Sequence, residues 1–326
     1  MKAYVCDDFG PLEQHAPGEL PAPEPGEGQV RVRVAAAGVN FYDTLIVQGK
    51  YQVRPVRPFA PGGEIAGVVD AVGPGVTHLR VGQRVMAFTS YGGYAELTLS
   101  RASMTWPLPD AVGFESAAAG VVTYGTAWFA LQDLARLAPG ETVLVLGAAG
   151  GVGLAAVQIA KRAGARVIAA AGSPERLALC REAGADDTID YVAEDLKDAV
   201  KAATGGRGAD VVVDVVGGDF TEKALRATAW RGRLLVIGFA AGQIPKLPAN
   251  LLLLKGCHAS GVFWDEFLRR EPEAARAHMA AIAAAWADGS LTPPISARYP
   301  LERAGEALDA LAQRRASGKL IIQPAP

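Results

Sequence analysis

Cysteine is scarce in this chain of 326 residues, and the three present, Cys6, Cys180 and Cys257, are odd in number and far apart. That pattern does not suit a disulfide framework and fits a reducing compartment, with the cytoplasm as the expectation. Histidine is nearly as rare: the four are His15, His78, His258 and His278, and no pair has the i,i+4 spacing of ligands on one helical face. Catalytic zinc needs three protein ligands within mutual reach, so no metal site is expected. Cys257 and His258 are adjacent on an expected strand, where side chains point to opposite faces, and read as a buried thiol and a surface or core imidazole. An excess of charge is also lacking. Lys and Arg number 32 against 34 Asp and Glu, for a net charge of −2, with no long run of one sign, so no nucleic-acid partner is expected. The most apolar stretch, Ala117 to Leu131, is interrupted by Thr123, Tyr124, Gly125 and Thr126 and is too short and polar to span a bilayer. The first residues include Lys2 but no apolar h-region, unlike a secretory signal.

What is present is a large apolar fraction, 50% of the residues, enough for a core and more than one folding unit. The first 120 or so residues read as short strands and turns. Val30 to Val34 alternates apolar and polar, Ile65 to Val72 is β-rich and closed by Gly73-Pro74-Gly75, and Gly82 to Ala87 and Gly93 to Glu96 follow the same style. From about Gly120 the pattern changes to strands alternating with helices. Strands are expected at 142–146, 166–171, 188–191, 210–216, 234–237 and 257–262, with helices at 152–163 and 174–183. Such alternation implies a parallel sheet covered by helices on both faces. The last stretch reads as a helix over 265–287, a short strand at 295–299, a helix over 301–315 and a final strand at 319–323. The expected organisation is an α/β protein in which a nucleotide domain, residues 122–263, is inserted into a β-barrel-like domain formed by 1–121 and 264–326.

The sharpest motif joins the strand ending at Leu146 to the next helix through Gly147, Gly150, Gly151, Val152 and Gly153. A tight turn there lets the backbone approach a pyrophosphate, and the helix N-terminus offers N–H groups and positive dipole. Glycine-rich strand–helix turns also arise from close packing, but a run of βαβ units around this one favours nucleotide binding. An acidic residue about 20 positions on would hold the ribose 2′-hydroxyl of NAD. The corresponding stretch is Ala169-Ala170-Ala171-Gly172-Ser173-Pro174-Glu175-Arg176, which has no acid at the strand end. A Ser173 N-cap, Pro174 at the first helical position and Arg176 one turn in would suit the 2′-phosphate of NADPH. The plainer reading of Ser173 to Arg176 is an ordinary helix start with a solvated arginine.

Over essentially its whole length the chain resembles the medium-chain dehydrogenase/reductase superfamily. The resemblance rests on residues 38–43, 61–69, 73–76, 82–85 and 149–153, and on the stretch from Leu177 to Tyr191, all in the family's order. Zinc alcohol dehydrogenases of that superfamily carry Cys where Asn40 stands and His where Gly63 stands, so the similarity points to the zinc-free quinone oxidoreductase group. The resemblance implies a GroES-like barrel domain, a Rossmann domain with a cleft between them, NADPH as cofactor and a homodimer. It implies that Asn40 and Thr123 flank the nicotinamide and that Gly150, Gly151 and Val152 meet the pyrophosphate. It assigns Ser173, Arg176 and Tyr191 to the 2′-phosphate, and Gly238, Phe239, Val262, Phe263 and Lys319 to other contacts with the cofactor. Arg176 departs from similar quinone oxidoreductases, where Lys is common. Each position has a plainer reading: a turn at Asn40, a helix-end hydroxyl at Thr123, a strand end at Tyr191, core packing at Phe239 and Phe263.

With no zinc, the acceptor carbonyl must be polarised by hydrogen bonds while the cofactor supplies the hydride. Tyr51 stands where the family has a loop tyrosine, assigned as proton donor in enoyl-thioester reductases. Lys50 or Arg54 could lower its pKa from about 10, or the ring could simply pack on substrate or cover a loop. The implied activity is hydride transfer from NADPH to a quinone or other α,β-unsaturated carbonyl. The alternatives are an enoyl-CoA or acryloyl-CoA reductase, a non-enzymatic nucleotide-binding protein of the crystallin kind, and a zinc alcohol dehydrogenase, against which the ligand count speaks.

Overall fold

In the computed structural model, which describes residues 1–324, the N-terminal region is built from short antiparallel strands. β1 (Lys2–Val5) and β2 (Ala16–Glu19) form a two-stranded ribbon. The alternating run becomes β3 (Gln29–Gly38), with Val30, Val32 and Val34 buried and Arg33 exposed between them. A short helix, α1 (Phe41–Val47), follows, then β4 (Glu64–Val72), β5 (Arg84–Phe88), β6 (Leu97–Arg101) and β7 (Thr105–Pro107). β3 pairs with both β4 and β6, and β5 bridges β4 to β7. The segment 93–96, expected as strand, is loop: a Cβ on Gly93 would lie 2.5 Å from the Ile65 side chain, and Ala95 makes only an isolated bridge to Ala3.

After α2 (Phe114–Trp128) the alternation of strand and helix begins. The elements are β8 (Thr142–Leu146), α3 (Gly151–Arg162), β9 (Arg166–Ala171), α4 (Pro174–Glu182), β10 (Asp187–Asp190) and α5 (Leu196–Ala203). They continue as β11 (Ala209–Asp214), α6 (Asp219–Ala227), β12 (Thr228–Val236), α7 (Ala249–Lys255), β13 (His258–Gly261) and α8 (Trp264–Arg270). All six strands are parallel, in the order β10-β9-β8-β11-β12-β13, the 3-2-1-4-5-6 winding of a dinucleotide-binding sheet. Every residue of β8 is buried, as a central parallel strand covered on both faces requires.

The chain ends its described part with α9 (Pro272–Ala287), β14 (Ile295–Pro300), α10 (Ala304–Ala312) and β15 (Lys319–Gln323). The helix expected over 265–287 is thus two, because Pro272 has no N–H to donate and starts α9 instead. The helix expected from Leu301 opens as a single tight turn, Leu301–Arg303, and α10 stops at Ala312. β15 lies beside β3, with Ile321 opposite Gly38. Compact packing divides the chain into one unit of residues 1–122 with those from Leu268 onward, and a second of Thr123–Phe267. Among the described residues no helix is long and apolar enough to cross a membrane.

The first unit encloses a group of buried polar side chains. Asn40 is the N-cap of α1, and its backbone N–H donates to Asp43 Oδ2 at 2.8 Å. Tyr94 Oη donates to the same oxygen at 3.1 Å, while Asp43 Oδ1 is buried with no hydrogen-bond partner among the described residues. Burial pushes the Asp43 carboxyl up to about 7, against the opposing pull of the Asn40 N–H and the Lys319 ammonium. The native state therefore holds a proton that the unfolded chain releases near the ordinary carboxylate pKa of about 3.9. The stability this proton gives is fully present below that value and is lost as pH rises through about 7. Asn at this position keeps an oxygen acceptor without a titrating group. In urea unfolding, Asp43→Asn should become more stable relative to wild type as pH rises from acid to neutral; a constant difference across that range would refute the assignment.

Candidate active site

Because the strands of the second unit are parallel and in register, their C-terminal ends share one edge. Leu146 faces Ala170, Asp214 faces both Leu146 and Val236, Val236 faces Gly261, and Asp190 faces Ala171. The loops leaving that edge carry most of the residues singled out in the sequence, at the place where open α/β sheets bind ligands.

The glycine turn leaves β8. Gly147 has φ +63°, a left-handed conformation suited to glycine, and its carbonyl accepts from Gly150 N. A Cβ on Gly153 would sit 2.4 Å from the Gly147 carbonyl oxygen, so glycine there lets α3 pack tightly on the turn. Gly150 is the N-cap of α3 and brings no capping side chain, which leaves the first-turn N–H groups, starting at Gly151 and Val152, for an anion. These features fit a pyrophosphate.

β9 ends in Ala169, Ala170 and Ala171, all buried, without an acid. Ser173 caps α4, its Oγ accepting from the Arg176 backbone N–H at 3.4 Å, and Pro174 occupies the first turn. The Ser173 hydroxyl also hydrogen-bonds the Glu175 side chain, which holds that carboxyl below its usual value. Tyr191 follows β10 and stacks at a tilt on Phe220, 4.6 Å between centroids; a Cβ on Gly172 would come within 3.3 Å of its ring. Tyr191 thus flanks the loop that carries Ser173. Gly238 and Phe239 follow β12, and Val262 and Phe263 follow β13; Phe239 and Phe263 are among the exposed large apolar residues, not core. Asp214, which the sequence did not mark, orders the neighbouring loop: its carboxylate accepts the N–H groups of Val216 and Gly217, each at 2.9 Å, and the Thr221 hydroxyl. Thr123 is buried in α2, at the first residue of the second unit.

The other candidates lie in the first unit. Asn40 Nδ2 donates to Glu64 Oε1 at 2.9 Å, and Asn40 Oδ1 accepts from Lys319 Nζ at 2.6 Å. Lys319 also donates to the Val39 carbonyl at 3.0 Å and pairs closely with Glu64 Oε1. Glu64 Oε2 accepts the N–H of Val122 at 2.7 Å. Glu64 was not singled out from the sequence; its one signal is a charge opening a mostly apolar strand directly after Pro61-Gly62-Gly63. Glycines make room for this cluster. A Cβ on Gly38 would meet Glu64 Oε1 at 2.4 Å, and one on Gly63 would meet Tyr42 Oη at 2.1 Å.

Tyr51 stacks on Tyr42, with ring centroids 5.6 Å apart. Beside it, Lys50 Nζ donates to Gln48 at 2.8 Å, and Arg54 donates to the Gly49 carbonyl at 3.2 Å. Tyr42 itself is held well above the ordinary phenol range by burial and by the nearby carboxylates, so it is a poor acid.

The donor set does not fit zinc. Asn40 offers an amide already bonded at both ends, any side chain at Gly63 would displace Tyr42, and Glu64 is paired with Lys319. Among the described residues, no three His, Cys, Asp or Glu side chains are grouped to hold a metal ion. Cys257 is buried and His258 exposed, and β13 begins only at His258.

Comparison with known proteins agrees with this arrangement. A family model described as alcohol dehydrogenase GroES-like domain matches residues 26–110, and one described as zinc-binding dehydrogenase matches 151–281. The chain is 41% identical over 325 residues to a quinone oxidoreductase-like protein 2 homolog of Nematostella vectensis, covering 98% of this chain and 88% of the relative. A quinone oxidoreductase of Escherichia coli, solved in complex with NADPH, aligns with a TM-score of 0.93 at 30% identity, over 99% of this chain and 100% of that one. A probable oxidoreductase from Mycobacterium abscessus aligns with a TM-score of 0.90 at 38% identity, over 99% of each chain. A GroES-like unit, a parallel dinucleotide-binding sheet and this degree of identity along nearly the full length lead to one conclusion: the chain is an oxidoreductase of the medium-chain dehydrogenase/reductase superfamily and belongs to its quinone oxidoreductase family.

Proposed function

We propose that the protein is an NADPH-dependent, zinc-independent reductase that transfers hydride to a quinone or another α,β-unsaturated carbonyl. The observation that carries the cofactor choice is the end of β9: three alanines with no acid, then a capped helix start bearing Ser173 and Arg176, on the same sheet edge as the glycine turn. An acid there would repel a 2′-phosphate, whereas a hydroxyl, a helix N-terminus and a guanidinium attract one. In this reading Gly150, Gly151 and Val152 hold the pyrophosphate. Ser173, Arg176 and Tyr191 surround the 2′-phosphate, while Gly238, Phe239, Val262 and Phe263 line the rest of the cofactor. When bound, the cofactor supplies the hydride; the chain's own part is orientation and hydrogen bonding. Asn40 and Thr123 are assigned to the reacting end, with Asn40 donating an N–H to the nicotinamide amide or the acceptor oxygen.

Two further proposals concern assembly and compartment. β13 is an edge strand of its sheet, and the exposed apolar residues Trp230, Leu253 and Leu254 belong to the adjoining β12 and α7. An unpaired edge beside apolar surface favours pairing with a second copy, giving a homodimer, and a monomer mass in light scattering at assay concentration would refute it. All three cysteines are free and buried, which suits a reducing cytoplasm.

A reduced enoyl-thioester is the second reading, favoured by the placement of Tyr51 on Tyr42 in the aromatic cluster of the first unit. Reduction at carbon needs a delivered proton, whereas a quinone oxyanion can take its proton from water.

Arg176→Ala should weaken NADPH binding by about tenfold or more and leave NADH little changed, because a charge-assisted contact is typically worth about 1.5–3 kcal/mol. Equal losses in fluorescence titrations of both nucleotides would remove Arg176 from 2′-phosphate recognition. The function itself is tested by following NADPH oxidation with quinones, enones and enoyl-CoAs in excess chelator, with Tyr51→Phe alongside wild type. For a quinone reductase, Tyr51→Phe should shift KM and barely change kcat. For an enone or enoyl-thioester reductase using the phenol, kcat should fall about 10²–10⁴-fold. Activity lost to chelator and restored by zinc alone would overturn the metal-independent reading.

A further inference from the structure

Lys319 stands in the sequence as a residue returning to the cofactor from the tail. Its environment argues for a different task. The side chain is buried, and an ammonium has three N–H donors. Three acceptors surround it: the Val39 carbonyl, Asn40 Oδ1 and Glu64 Oε1. No donor is left over for a phosphate or ribose.

What this arrangement fixes is the direction of one carboxamide. The oxygen and nitrogen ends of an asparagine are nearly the same size, so its partners decide which way it points. At Asn40 one end meets a group that can only donate, the Lys319 ammonium, and the other meets a group that can only accept, the Glu64 carboxylate. Flipping the amide would set N–H against ammonium and carbonyl oxygen against carboxylate, two repulsive contacts in a buried site where such contacts are least screened. In the observed orientation one N–H of Nδ2 is engaged by Glu64. Among the described residues the other has only Tyr42 Oη, at 3.5 Å, the outer limit of a hydrogen bond. A weakly held, orientationally fixed N–H is what an acceptor oxygen or a nicotinamide carbonyl can use.

The backbone prepares the same geometry from both sides. β15 runs beside the end of β3, and Val39 N donates to the Leu320 carbonyl at 2.9 Å, which sets Lys319 next to Asn40. Gly38, lacking a Cβ, lets the Glu64 carboxylate approach.

We propose that Lys319 is a positioning residue: with Glu64 it locks the Asn40 carboxamide so that its second N–H is presented to the reacting end of the cofactor or to the acceptor oxygen, and it makes no contact with the cofactor itself. This rests on the assignment of Asn40 under the proposed function, and the lock itself can be read without turnover.

The chain contains only two asparagines, Asn40 and Asn250. Protein labelled with 15N-asparagine therefore gives two side-chain amide pairs, and Asn250→Asp identifies the pair of Asn40. In wild type the Asn40 pair should show two well-separated protons that exchange slowly with water. In Lys319→Met the separation should collapse and exchange should accelerate. The same variant should lose kcat by up to about 10²-fold, the scale of a misplaced contact, while NADPH affinity stays within twofold. Lys319→Met leaves a buried Glu64 uncompensated and could unfold the unit, so the charge-free pair Glu64→Gln with Lys319→Met is the companion variant. It should fold, keep NADPH affinity and still show an unlocked amide and low kcat. Return of kcat to the wild-type value in that double variant would reduce Lys319 to a neutralising charge and overturn the proposal. A loss of NADPH affinity exceeding the loss of kcat would overturn it in favour of direct cofactor contact, and an unchanged Asn40 amide pair would overturn the lock. If wild type turns over no quinone, enone or enoyl-CoA, the proposed function fails, and the amide spectrum alone still decides whether Lys319 fixes Asn40.

Discussion

The first unit depends on a buried ion pair between two residues that are distant in sequence. Glu64 opens β4 and is fully buried; Lys319 opens β15 and is nearly so. Neither charge is tolerable alone, since removing one partner of a buried pair typically costs about 3–5 kcal/mol. Together they tie β4, the end of β3, the tail strand and the Val122 N–H of α2 to one point. The surrounding glycines follow from it. Gly38 and Gly63 are small because a carboxylate and a phenol occupy the space their side chains would fill. Asp43 is the residual cost of the arrangement: it is buried beside the pair, and that burial pushes its carboxyl up to about 7.

The second unit is governed by a backbone rule. Parallel strands wound in this order bring all their C-terminal ends to one edge, so residues scattered from Gly147 to Phe263 become neighbours of a single strip through the backbone topology. Side-chain work along that strip is mostly local: Ser173 caps its own helix and Asp214 orders its own loop. The two units thus reach function by opposite means, one through a compact polar cluster and the other through topology.

That difference explains what could be read in the sequence. The parallel sheet was legible because strand–helix alternation and a glycine turn are local patterns, and every expected strand of the second unit is present within a few residues. The Ser173 cap and Pro174 start were legible for the same reason. Glu64 and Asp43 were not, although both lie in stretches that mark the family. A charge at the start of a strand reads as a solvated end unless its partner is known, and for Glu64 that partner, Lys319, lies on the tail strand. Lys319 was legible as a candidate site residue, whereas its contacts with Val39, Asn40 and Glu64 depend on the pairing of β15 with β3, which no local pattern records. The single long helix drawn over 265–287 failed at Pro272, where the missing N–H outweighed a continuous alanine-rich pattern.

The pairing of β15 with β3 also sets an order of events during synthesis. Most of the first unit emerges from the ribosome before the second, yet its sheet lacks β15 and its carboxylate lacks an ammonium until the tail has been made. The second unit, Thr123–Phe267, is a single unbroken stretch and needs nothing from the tail to complete its own sheet. Domains generally fold as units as they appear, so the segment made first is here the one that finishes last. In the interval, the nascent first unit has an unpaired β3 margin and a Glu64 without its ammonium.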